Sequence, residues 1–137
     1  MKILKQLVPW AHWFLRLAVG SVFLYHGLSK FSKLGQLATM MEMPVAMIFM
    51  LAMMEAVGAC LILLGGFMKA WMTRTGAIML VPVMLGAIFM VHWPVWDNFL
   101  RSESHPMGGM EFQVTLLMIN LFLLIVGNSI NKGVSSN

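Results

Sequence analysis

Between Pro44 and Leu64 the chain reads PVAMIFMLAMMEAVGACLILL, a run in which Glu55 is the one charged residue. A run this long matches the roughly 20 helical residues needed to cross a hydrocarbon core about 30 Å thick. Three further segments share the property, near residues 8–28, 76–93 and 110–126. A lipid interior offers no water to a bare peptide group, so a spanning segment must satisfy its own backbone, and helices do so internally. The fold class that follows is all-α: an integral membrane four-helix bundle forming one domain over residues 1–137. Composition agrees, because 60% of residues are hydrophobic and only 10% charged, against about 25% charged in soluble domains.

Most of the charged residues fall outside the spans. Lys2, Lys5, Lys69, Arg74 and Lys132 lie on one side; Lys30, Lys33 and Arg101 lie on the other with Glu42, Asp97 and Glu103. The positive-inside rule then puts both termini in the cytoplasm. Trp10, Trp13, Trp71, Trp93 and Trp96 all fall near proposed helix ends, where an aromatic belt belongs. MKILKQ has the basic start of a signal peptide, but the apolar segment after it contains Arg16 and no small-residue cleavage site, which predicts a retained first helix. The net charge of +4 suits loops facing anionic lipid and points to no nucleic-acid partner. Cys60 is the single cysteine; it predicts packing within a helix, with no intrachain disulfide.

Few polar residues remain to carry chemistry. Arg16 and Glu55 lie inside the first two spans, where an unpaired charge costs at least about 2.5–3.5 kcal/mol. At 1.5 Å per residue they sit about 18 and 16 Å below the outer ends of their helices, which predicts a structural ion pair between them. His26, His92 and Glu111 each fall near a span end that the topology sends to the outer leaflet. With Glu55 approaching from below, they predict a ligand-binding or proton-handling cluster. Such a set suits hydrogen bonding to the carbonyls of a quinone. It also suits a metal ion, since imidazole and carboxylate fit zinc or iron, with His26, His92 and Glu111 as the candidate ligands. The alternative for each histidine is an interfacial residue satisfied by headgroups or by a backbone carbonyl.

Met40, Met43, Met47, Met50 and Met54 recur at steps of three and four, which predicts a stripe on the second helix, with Met107 and Met110 at the same end. Thioethers are soft enough for Cu(I), but methionine also fills irregular apolar interfaces. Gly20 with Gly27, and Gly58 with Gly65, supply small surfaces that predict close helix contacts.

Taken in order, Arg16, Gly20, the HGLSK block from His26 to Lys30, the Glu55 helix with Gly58 and Gly65-Gly66, the series Met84, Ala87 and His92, and the GGMEF block opening the last span resemble the DoxX family. The resemblance spans nearly the whole chain. It implies a small four-helix protein of the bacterial or archaeal cytoplasmic (inner) membrane, associated with redox systems as a complex subunit or accessory protein. Its partners would be the lipid bilayer and other membrane or redox subunits, or further copies of itself. One branch of the family is a subunit of a thiosulfate:quinone oxidoreductase, so the implied role is a non-catalytic or quinone-binding subunit of an oxidoreductase. The family carries no single reaction, and no catalytic residue transfers from it. The tail, Gly127 to Asn137, lacks the acidic position of many members. Two alternatives stand beside this reading: a metal-handling membrane protein, and a purely structural subunit of a larger assembly with Arg16 and Glu55 as its internal staple.

Overall fold

Glycines set how closely the helices lie. In the computed structural model, which describes residues 2–97 and 108–129, a Cβ added to Gly27 would stand 2.7 Å from the backbone nitrogen of Ala56. One added to Gly76 would stand 2.6 Å from the carbonyl oxygen of Gly58. Both distances are too short for any side chain, so glycine is what lets the backbones approach.

The elements are α1 (Lys2–Leu7), a 3₁₀ turn (Val8–Trp10), α2 (His12–Phe31), α3 (Leu34–Met40), α4 (Val45–Phe67), α5 (Ala70–Gly86) continuing as a π-helical turn (Ala87–His92), and α6 (Glu111–Val126). Helices α2, α4, α5 and α6 pack side by side, each against the next. Neighbours run antiparallel: Gly20 faces Leu63 while Gly27 faces Ala56, and Gly58 faces Leu80 while Gly65 faces Thr73. The core between them is built from Val19, Phe23, Ile62, Leu80, Leu116 and Leu123, with smaller residues such as Ala59 and Ala77 filling the closest approaches. The outward faces are apolar too, with Phe14, Phe67, Ile78, Phe89 and Ile125 all exposed. Exposed apolar surface on this scale belongs against an apolar partner rather than water.

The element boundaries depart from the sequence expectation in three places. Residues 65–75 were expected as a connection, yet only Met68 and Lys69 separate α4 from α5. Gly65 and Gly66 stay helical because their missing side chains make room for Thr73 and for the Trp13 ring. The expected connection 29–43 contains α3, and α2 runs to Phe31 before it. By length and composition, α4 and the continuous Ala70–His92 helix can each cross a membrane, whereas α6 has only 16 residues and does not meet that test. Helix α2, with 20 residues, carries Arg16 and Lys30 within it and is not among the candidates. Two helices therefore meet on their own a criterion expected of four. Arg101, Glu103, Met107 and Lys132, used above for topology or the methionine set, lie outside the described residues.

Candidate ligand-binding cavity

The C-terminal half of α2, Leu37 and Met40 of α3, the N-terminal half of α4, the end of α5 with the π turn, and the first turns of α6 line a cavity of about 800 Å³. That volume lies within the range of small-molecule sites, about 300–1,000 Å³. Much of its wall is methionine, including Met40, Met43, Met47, Met50, Met84 and Met90. Against that apolar wall stand His26, Lys30, Glu55, His92 and Gln113.

Helix α2 contributes by its period. Ser29 and Lys30 lie three and four residues after His26 and therefore share its face; all three line the cavity, as does Lys33 in the turn that follows. His26 is exposed toward it and meets the Tyr25 ring edge-on. Lys30 donates from Nζ to Glu55 Oε2 at 2.5 Å. Glu55 is 5% exposed, so its charge is compensated by the ammonium rather than by water.

The ion pair expected between Arg16 and Glu55 is therefore not formed. Because Gly20 is level with Leu63 and Gly27 with Ala56, Arg16 meets the C-terminal end of α4, while Glu55 meets the last turns of α2. The acceptor that Arg16 reaches on α4 is the carbonyl of Ile62, two turns from Glu55, or about 10 Å along the axis.

His92 ends the π turn and is 6% exposed. Its Nδ1 lies 2.9 Å from the carbonyl oxygen of Gly108, and its Nε2 lies 2.9 Å from Gln113 Nε2. A carbonyl only accepts, so Nδ1 carries the proton and donates; Nε2 is then the lone-pair nitrogen and accepts from the amide. Glu111, expected beside the histidines, does not line the cavity; Phe112, Gln113 and Leu116 do. Two residues along a helix turn about 200°, so Glu111 and Gln113 point to nearly opposite sides. Gln113 thus takes the place predicted for Glu111. The sequence signal for it is an amide in the first turn of a largely apolar helix.

The methionine expectation changes in part. Met40 closes α3, Met43 sits in the turn before α4, and Met47 and Met50 lie on α4, so the stripe spans two helices. Met54 is not among the lining residues. Among the described residues no three of His, Cys, Asp and Glu gather as a metal site, so His26, His92 and Glu111 do not form the ligand set considered for zinc or iron. Cys60, expected to pack inside, is exposed on the outer surface of α4.

The opposite end of the molecule is organised by Arg16, which is fully buried. Its Nε donates to His12 Nδ1 at 2.9 Å, Nη1 to the Ile62 carbonyl and to Thr73 Oγ1 at 2.7 Å each, and Nη2 to the Gly127 carbonyl at 3.1 Å and Asn128 Oδ1 at 2.7 Å. A guanidinium has five N–H donors, and here each has an acceptor, none of them a carboxylate. Asn128 donates onward from Nδ2 to the Gly65 carbonyl at 2.7 Å. One side chain thereby joins α2, α4, α5 and the end of α6. Gly127 closes α6 at φ +58°, a left-handed conformation that glycine adopts without strain, and this turn brings its carbonyl and Asn128 to Arg16.

No curated protein and no solved structure matches the chain. A family model, DoxX, matches residues 11–93, the stretch from the start of α2 through His92 that supplies Arg16, His26, Lys30, Glu55 and His92. On that match, the chain belongs to the DoxX family.

Proposed function

We propose that this protein is a multi-pass component of a bacterial or archaeal cytoplasmic membrane, a subunit or accessory protein of a redox complex. In this reading it binds a quinone or a similar small ligand in its outer-leaflet cavity. Family membership supports the membrane and redox setting, and the apolar outer faces of the helices support lipid contact. The observation that carries the ligand reading is the convergence of His26, Glu55 and His92 from three helices on one methionine-walled cavity. Helices α2, α4, the Ala70–His92 helix and α6 would each cross the bilayer, with both termini cytoplasmic as the lysine and arginine distribution favours. The short α6, about 24 Å long at 1.5 Å per residue, would be accommodated by local thinning of the bilayer.

The chain's own residues divide the work. The Lys30 ammonium and the His26 ring offer donors to a carbonyl oxygen at the α2 wall. Glu55, paired with Lys30, can accept a proton within the cavity without a charge being stranded there. His92 is held in one tautomer by Gly108 and Gln113. The methionines shape the apolar remainder and adapt to it.

The test is quinone binding to purified protein reconstituted in lipid. His26→Ala, together with Lys30→Met, is expected to weaken binding about tenfold, the value of roughly one charge-assisted hydrogen bond. Unchanged affinity in both variants overturns the reading. Met40, Met43, Met47 and Met50 on the same wall favour one rival, Cu(I) handling. Elemental analysis finding stoichiometric copper in the purified protein would replace the quinone reading with that one.

A further inference from the structure

Gln113 lines the cavity, and its two amide atoms are in opposite situations. Nε2 is bonded to His92 Nε2 at 2.9 Å. Oε1 is buried and has no hydrogen-bond donor among the described residues. A buried acceptor left in this state costs about as much as a lost hydrogen bond. Turning the amide over would not help. Oε1 would then face His92 Nε2, a lone-pair nitrogen as long as Nδ1 donates to Gly108, and two acceptors would meet. The Gly108 carbonyl, through the histidine tautomer, thus fixes the orientation in which Gln113 keeps an acceptor and not a donor in reserve. Asn120 has the same defect at its own Oδ1, but it is absent from the cavity wall and no ligand there reaches it.

From this we infer that the cavity takes a ligand bearing a hydroxyl group, a phenol or the reduced, dihydroxy form of a quinone, and that this hydroxyl donates to Gln113 Oε1. The inference rests on the small-ligand reading of the cavity above and sharpens it, since a quinone in its oxidised form has carbonyl acceptors only and offers Gln113 nothing. The oxygen is closed to solvent in the unliganded protein, so the side chains beside it must give way as the ligand enters. Met84 and Met90, which line the cavity from the same helix as His92, are unbranched and suited to that adjustment.

A matched pair of probes isolates the donor: para-pentylphenol and its methyl ether, which keeps the oxygen and loses the O–H. Binding of each to the full chain in lipid nanodiscs is measured by titration calorimetry, with protein-free nanodiscs subtracted to remove partitioning. The phenol is expected to bind about tenfold more tightly than the ether. In Gln113→Leu the phenol is expected to fall to the level of the ether, whose affinity stays unchanged. Equal binding of the two probes to the unaltered protein overturns this inference and leaves the cavity reading standing. A preference that survives in Gln113→Leu also overturns it. Saturable binding of neither probe overturns both. Where Gln113→Leu fails to fold, Gln113→Met, which also lacks the acceptor and keeps an unbranched side chain, takes its place with the same expected and overturning outcomes.

Discussion

The two ends of the helix assembly handle buried polarity in opposite ways. At the Arg16 end a full positive charge is sealed in, and each of its five donors meets a neutral acceptor on α2, α4, α5 or the end of α6. At the other end Glu55 and Lys30 pair beside a cavity of about 800 Å³, and Gln113 keeps an acceptor without a donor among the described residues. A fully satisfied network has nothing left to offer a ligand, and disturbing any member strands the rest. An incompletely satisfied one is poorer in stability but has groups in reserve. The difference separates a network that joins the helices from one that keeps groups in reserve.

The comparison predicts a graded series of stability effects, read as thermal or denaturant unfolding in detergent. Arg16→Leu heads it, with a loss of about 3–5 kcal/mol, because several buried acceptors lose their donor at once. Thr73→Val should cost about 1–3 kcal/mol, since it leaves one buried guanidinium N–H without an acceptor. Glu55→Gln removes the only carboxylate of the cavity wall among the described residues, yet Lys30 ends a partly exposed side chain that can swing toward headgroups. Its stability cost is expected near 1 kcal/mol, with the larger consequence falling on ligand affinity. A Glu55→Gln loss as large as that of Arg16→Leu would break the comparison, because the cavity end would then be the structural one. Met50→Leu closes the series within about 0.5 kcal/mol, as it alters a half-exposed apolar side chain without removing a partner.

How much of this was legible beforehand follows from what each inference needed. Helix type and chain direction were readable from long apolar runs, and direction alone sends His26, Glu55 and His92 toward one end, which is where they lie. The partner of Arg16 was not readable, because it depends on which turn of α4 stands level with which turn of α2. That register is set by contacts such as Gly27 against Ala56 and Gly20 against Leu63, and a difference of two turns exchanges one partner for another. The exchange of Glu111 for Gln113 has a smaller cause of the same kind. Both residues sit at the correct end, but rotation about the helix axis decides which of them faces inward, and the boundary of α6 was known only to within a few residues. Helix α3 was hidden because its seven residues carry too little pattern to distinguish a short helix from a loop. Gly65 and Gly66 lie where a connection is expected after the second span, yet they are points of contact inside a continuous helix, in line with the close contact expected of Gly58 and Gly65.

The bonds from Arg16 to Gly127 and Asn128 reach beyond the stretch by which the family is identified. That stretch, residues 11–93, ends before α6, yet Arg16 grips the last turn of α6 at one end while His92 holds Gln113 in its first turns at the other. The portion of the chain that can be recognised by descent is therefore smaller than the portion that must assemble as a unit. A fragment cut at the recognisable boundary would keep both Arg16 and His92 but lose Gly127, Asn128 and Gln113, so each would be left with a polar group whose partner lay on the missing helix.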